Sequence, residues 1–235
     1  MYGVVYCFYN NLTTLLTRNI DRQHRNQYNR LIILLTGLGA PKSQFMRLFN
    51  TLQSTILKSD DLIVIFKPKF GQTLNEDIID LEKFIITLGL SSINSCILIG
   101  HSRGGLLAYE FLKKHNHYFN KSSIITLSTP WRSISLQEGW KGLRGSPFFI
   151  KTFNKIGSFI VHKADITKEL LNETSWNNNQ NINLLCLAGK YDPIVGDPAV
   201  QAPRNIKPYI IPASHLSLPT EQVAINQICD FVKNQ

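Results

Sequence analysis

Gly100-His101-Ser102-Arg103-Gly104 sets a serine between two glycines at the spacing G-x-S-x-G. The residues before it, Cys96 to Ile99, form a short apolar run, and Leu106 to Phe111 continue as a helix-forming stretch. A buried strand that turns at once into a helix strains the residue at the turn, and only small neighbours let the chain pack there. The Ser102 hydroxyl then stands above the sheet edge, at the positive end of a helix dipole. That makes Ser102 a candidate nucleophile. A serine hydroxyl is unreactive at neutral pH without a base, so the chemistry needs a histidine brought in from elsewhere. Two other chemistries have no sequence support. No G-x-x-x-x-G-K-[ST] pattern occurs, and Cys7, Cys96, Cys186 and Cys229 form no C-x-x-C pair. Cys96 and Cys186 lie in apolar runs and read as small core residues of a reducing compartment.

The elements that must hold Ser102 are legible as an alternation. Apolar runs at Leu31–Leu35, Leu62–Phe66, Cys96–Ile99, Ile124–Leu127, Asn183–Leu187 and Tyr209–Ile211 are short and mostly lack polar alternation. They predict strands buried on both faces. Thr73-Leu74-Asn75-Glu76 reads as a capping box. Leu74, Ile78, Leu81, Ile85 and Leu88 share one helical face, and Gly89 can supply the stop. Pro219 and Thr220 open a last helix with Ala224, Ile225, Ile228, Phe231 and Val232 inward. This pattern predicts an α/β fold: a mostly parallel sheet with helices on both faces. Residues 131–181 interrupt the alternation and are too long for a simple loop. With Phe149, Phe153, Ile156 and Ile160 at helical spacing, they read as a helical cap inserted into a single domain of residues 1–235.

The 235 residues carry 25 Lys and Arg against 16 Asp and Glu, a formal charge of +9, with 43% hydrophobic and 17% charged residues. That apolar fraction excludes a disordered chain, and no repeat or heptad points to a fibre. Apolar stretches fall well short of the roughly 20 residues of a membrane span. Met1 to Tyr9 is apolar but lacks a basic leader and is broken by Asn10 and Asn11, so a cytoplasmic protein is expected. The positive charge is local: Arg18, Arg22, Arg25 and Arg30 near the start, and six basic residues against Glu138 in 131–163. No nucleic-acid motif accompanies it, which leaves an anionic membrane surface as a candidate partner and cap residues such as Lys151 and Lys155 as its contacts.

From Leu31 to Phe231 the chain resembles the α/β-hydrolase superfamily, and more narrowly its lipases and esterases. Thr36-Gly37-Leu38-Gly39 resembles the family's oxyanion loop after the first buried strand, with Thr36 where histidine is usual. Pro68-Lys69-Phe70-Gly71-Gln72-Thr73 resembles the glycine-bearing turn after the next strand. Leu127-Ser128-Thr129-Pro130 looks like the strand end of lipases acting on bulky lipids, including deacylases of lipid anchors.

The resemblance implies the order serine, acid, histidine. The acid then belongs after the strand at 183–187, where Asp192 precedes its rival Asp197, and Asp192-x-x-Val195 resembles the family's acid loop. The base belongs after Tyr209–Ile211, where His215 stands. His101 is expected to point away from the site, His24, His115 and His117 to be solvated, and His162 falls in the insertion. Backbone N–H groups of Leu38 and Arg103 would hold an oxyanion, and Phe149 and Phe153 would line an acyl pocket. The implied activity is two-step hydrolysis of a carboxylic or lipid ester, with no metal or organic cofactor. An acyltransferase or thioesterase uses the same triad, and a binding protein can share the scaffold. Oligomeric state is open.

Overall fold

The computed structural model describes residues 28–88, 93–132, 176 and 181–235. The six apolar runs are strands: β1 (Arg30–Leu35), β2 (Asp61–Phe66), β3 (Ser95–His101), β4 (Lys121–Leu127), β5 (Ile182–Gly189) and β6 (Tyr209–Ile211). All pair in parallel, in the order β2-β1-β3-β4-β5-β6. Among the described residues, the α-helices are α1 (Met46–Thr55), α2 (Leu74–Thr87), α3 (Arg103–His115) and α4 (Gln222–Lys233).

The strands explain their own composition. Leu31, Ile33 and Leu35 of β1 pack with Leu81 of α2 and Leu107 of α3. Ile32 and Leu34, one residue out of phase, pack on the other face with Leu48 of α1 and Ile228 of α4. Successive strand side chains point to opposite faces, and both faces are covered, so β1 is apolar at every position from Leu31 to Leu35. The expected α/β architecture is the observed one. The cap expected at 131–181 lies largely outside the described residues.

Local signals hold where they are strong. Glu76 N–H donates to Thr73 Oγ1 at 3.2 Å, and Thr73 N–H donates to Glu76 Oε2 at 2.7 Å, a complete capping box for α2. The last helix begins later than expected: Leu218–Thr220 is a separate 3₁₀ turn, and Phe231 is only half-buried. Helix α1 has no counterpart among the elements expected from sequence. It buries Leu48, Phe49 and Leu52, but its other face includes the weak helix formers Asn50, Thr51 and Ser54, so packing more than propensity stabilises it. No helix among the described residues is long and apolar enough to cross a membrane.

The strand order positions the site. From β1 the chain goes outward to β2, then returns to place β3 on the other side of β1. The loops after β1 and β3 therefore leave in opposite directions and open a crevice at the carboxyl ends of the strands. Gly37 and Ser102 lie at that crevice, directly after these two strands.

Candidate active site

Ser102 leaves β3 with φ 54° and ψ −125°, one of three non-glycine residues with positive φ among those described. Such a conformation costs of order 1–3 kcal/mol and persists only where the surroundings enforce it. Here they do. A Cβ on Gly100 would collide with the backbone of Gly104 and Gly105, and one on Gly104 would strike the carbonyl oxygens of Leu35 and Thr36. The glycines thus let α3 start directly against β1 and β3. Ser102 N–H donates to the Leu127 carbonyl at 2.8 Å, which pins the turn to β4. Its side chain is partly exposed at the N-cap of α3.

The acid and the imidazole arrive on adjacent loops. Beyond the last paired residues of β5 and β6, Lys190 N–H donates to Ile211 O at 2.8 Å and Tyr191 N–H to Ala213 O at 2.9 Å. This extended pairing carries Asp192 and His215 to the same height above the sheet. His215 Nδ1 lies 2.7 Å from Asp192 Oδ2, and both residues are buried, at 4% and 5% exposure. Asp192 Oδ1 accepts from the N–H groups of Ile194 at 2.8 Å and Val195 at 2.9 Å. Burial by itself raises the Asp192 pKa, but the His215 hydrogen bond and charge, with the two backbone donors, hold it below the ordinary carboxylate value. An ionised carboxylate can only accept, so Nδ1 carries a proton, and in the neutral ring Nε2 presents a lone pair. Asp197 is elsewhere: exposed, it accepts from Ala199 N–H at 2.7 Å and caps the short turn Pro198–Gln201.

Two further side chains complete the scaffold, one without a sequence signal and one expected elsewhere. Gln201, fully buried, accepts from Gly189 N–H at 2.8 Å and donates to the carbonyls of Gly189 at 3.0 Å and Gly196 at 2.9 Å. It closes the acid loop on itself, and no local signal marks it. His101 is the second, and here expectation needs correcting. Its Nε2 is 2.9 Å from the His215 carbonyl, its Nδ1 is 3.1 Å from Gln44 Nε2, and the two imidazole rings are 4.6 Å apart. His101 continues the Ile97, Ile99 face of β3, toward α1 and α4, and the turn before α1 brings Gln44 while the loop before α4 brings His215. Ser102 has left the strand, so strand alternation no longer sets His101 opposite it. Burial first, then the nearby His215 charge, brings the His101 pKa down to about 3, and the ring is neutral. His115 also differs from expectation: it is half-buried and stacked on Phe111 at 4.6 Å.

The loop after β1 meets the turn. A Cβ on Gly37 would lie 3.1 Å from Ser102 Cβ, so Gly37 packs directly on the serine. Ala40 N–H donates to Gly37 O at 3.2 Å, and Gly39 takes φ 69°. The N–H groups of Leu38 and Arg103 have no acceptor among the described residues. For Arg103 this follows from its place as the first residue of α3. The Arg103 side chain turns away, to Asp77 of α2.

Phe149 and Phe153 lie outside the described residues, as do Cys7, His24, Lys151, Lys155 and His162. At the margins of 131–181, Trp131 and Trp176 pack on Tyr109 of α3, with ring centroids 5.1 and 5.5 Å away. Cys96, Cys186 and Cys229 are free and buried, and burial pushes the Cys186 thiol up to about 12, so these sulfurs are inert core residues. Among the described residues no cluster of His, Cys, Asp and Glu could hold a metal ion.

A single parallel sheet with this strand order and helices on both faces is the α/β-hydrolase fold, and solved structures share it. The chain is similar to a hydrolase from Oleispira antarctica, with 14% identity, TM-score 0.60, and coverage of 89% of this chain and 93% of that one. It is similar to a thermophilic esterase from Thermogutta terrifontis, with 15% identity, TM-score 0.58, and coverage of 89% and 91%. An epoxide hydrolase from Bacillus megaterium matches at 14% identity and TM-score 0.54, covering 89% and 95%. Neither a protein-family model nor a curated protein sequence matches the chain. One fold hosting esterases and an epoxide hydrolase leaves the reaction to be argued from the site.

Proposed function

We propose that the chain is a serine hydrolase of carboxylic esters, with Ser102 as nucleophile, His215 as base and Asp192 as its partner. The observation that carries this reading is the buried Asp192–His215 pair at 2.7 Å, whose imidazole lies 4.6 Å, ring to ring, from His101, the neighbour of a serine held at positive φ. His215 Nε2 takes the Ser102 proton as Oγ attacks the ester carbonyl. The carbonyl oxygen becomes an alkoxide that accepts from the N–H groups of Leu38 and Arg103. Each such donor is worth roughly 3–4 kcal/mol in comparable sites. The intermediate collapses, the alkoxy C–O bond breaks, and His215 returns its proton to the leaving alcohol. Water, deprotonated by the same His215, then attacks the acyl carbon, the bond from that carbon to Ser102 Oγ breaks, and Oγ takes the proton back from His215 as the acid leaves. Asp192 stabilises the imidazolium at each stage.

Labelling of the purified chain with a fluorophosphonate, before and after Ser102→Ala, tests the assignment. Wild type should label and hydrolyse esters, and Ser102→Ala should lose both, the rate falling on the order of 10⁶-fold. Substantial labelling of Ser102→Ala sinks the reading. The aromatic, basic stretch 131–163 favours a lipid or long acyl ester. Phe149→Ser with Phe153→Ser should then lower turnover of long esters more than short ones, since each buried methylene is worth about 0.8 kcal/mol. The ester panel is run with and without anionic vesicles.

A further inference from the structure

His101 makes two polar contacts, and their chemistry dictates its state. A carbonyl oxygen only accepts, so the 2.9 Å contact to His215 O requires the proton on His101 Nε2. A neutral ring then has a lone pair on Nδ1, so Gln44 must offer its N–H there, at 3.1 Å. With the ring neutral, this orientation avoids setting two lone pairs against each other, and it leaves Gln44 Oε1 buried without a partner among the described residues. The charged or titratable groups that face the ring are His215, from the loop before α4, and Asp192, from the acid loop. Gln44, from the turn before α1, is neutral.

We propose that His101 is a positioning residue for His215: its Nε2–H holds the His215 carbonyl, and Gln44 locks the tautomer that makes this possible. The relay ties the turn that follows the Gly37 loop, through Gln44, to the backbone of the base. The lock also matters for charge. A proton on Nδ1 would oppose the Gln44 N–H as now placed and set a second cation with its ring 4.6 Å from the ring that becomes an imidazolium during reaction. The ring's depressed basicity, brought down to about 3, agrees with a group kept neutral beside the base. The inference rests on the reading of His215 as general base.

Imidazole ¹⁵N spectra of the full chain give a readout that needs no turnover. One histidine should show a protonated Nε2 and a bare Nδ1, unchanged between pH ~5 and ~8, where a free histidine titrates. That signal should vanish in His101→Gln, which assigns it. A His101 ring that titrates in this range, or one protonated on Nδ1, overturns the proposal. Turnover supplies the second arm. His101→Phe keeps a ring but loses the donor, and kcat for a soluble ester should fall roughly 10- to 100-fold with KM little changed. His101→Gln offers an amide N–H in place of Nε2–H and should recover most of that loss. Wild-type kcat in His101→Phe, or equal losses in both variants, overturns the positioning role. Should His101→Phe fail to fold, the wild-type spectrum still decides. A wild-type chain without hydrolysis or fluorophosphonate labelling would instead defeat the functional reading, and the spectrum would report separately on the His101–His215 contact.

Discussion

Arg103, the residue after Ser102, is ion-paired through Nη1 with Asp77 of α2, and both side chains are buried. Its Nη2 also donates to the Gln72 carbonyl at 3.0 Å. The pair joins the N-terminal turns of α2 and α3, and so braces the backbone N–H of Arg103 beside Ser102. The bracing is incomplete as hydrogen bonding: Asp77 Oδ1 and Arg103 Nε have no partner among the described residues. Burial outweighs the Arg103 charge and leaves the Asp77 pKa above its ordinary value.

Arg103→Met should therefore destabilise strongly, because it strands a buried carboxylate; losses of roughly 3–5 kcal/mol are typical. Asp77→Leu should cost a similar amount by stranding the guanidinium. The double variant should recover much of either loss, since an apolar pair of similar size needs no compensation. Urea midpoints of the four proteins measure this. A double variant as unstable as the sum of the singles would show that the two residues do not act as a pair.

Asp192→Asn and Asp197→Asn should separate sharply. An amide at 192 can stabilise the wrong imidazole tautomer, with losses of up to about 10⁴ in kcat in the serine-protease precedent. Asp197 only caps a 3₁₀ turn, so its replacement by Asn, itself a good cap, should leave kcat near wild type. Steady-state kinetics on one soluble ester suffices. A crippled Asp197→Asn would reassign the acid.

Gly105→Ala should destabilise, because its Cβ would overlap the Thr129 side chain at Oγ1, Cβ and Cγ2. Overpacking of this kind typically costs about 1–3 kcal/mol. Thr129→Ala removes two of the three clashing atoms and should restore part of the loss in the double variant. Thermal midpoints read the cycle, and an additive double variant would mean that the strain is relieved elsewhere.

Acid should destabilise the fold partly through His101. In the unfolded chain a histidine titrates near pH ~6.5, whereas in the fold His101 is brought down to about 3. Between these values the unfolded state binds a proton that the folded state does not. The stabilisation is full above about pH 6.5 and is lost as pH falls toward about 3. Asp192, held low in the fold, adds a loss of the same sign at lower pH, and the raised Asp77 opposes it. Urea midpoints at pH ~7 and ~5 should fall less on acidification in His101→Gln than in wild type. An unchanged difference would show that His101 is not the group responsible.

The sequence by itself determined the strands and the turn at Ser102. A strand covered on both faces favours continuous apolar side chains, so Leu31–Leu35 or Cys96–Ile99 declares itself locally. The spacing of Gly100, Ser102 and Gly104 is equally local, since it reflects how closely α3 starts against β1 and β3. The sequence favours Asp192 over Asp197 for its place just past the strand end, but its contact with His215 depends on the 190–211 and 191–213 backbone pairing that only the folded sheet supplies. The same holds for His101 against His215, 114 residues apart, for Arg103 against Asp77, and for the order that sets β3 beside β1. Helix α1 belongs with these: its polar face has weak propensity, and its stability comes from the groove that β1, β2 and α4 offer it. Periodicity and turn chemistry act over a few residues, whereas these contacts depend on which distant surfaces exclude water together.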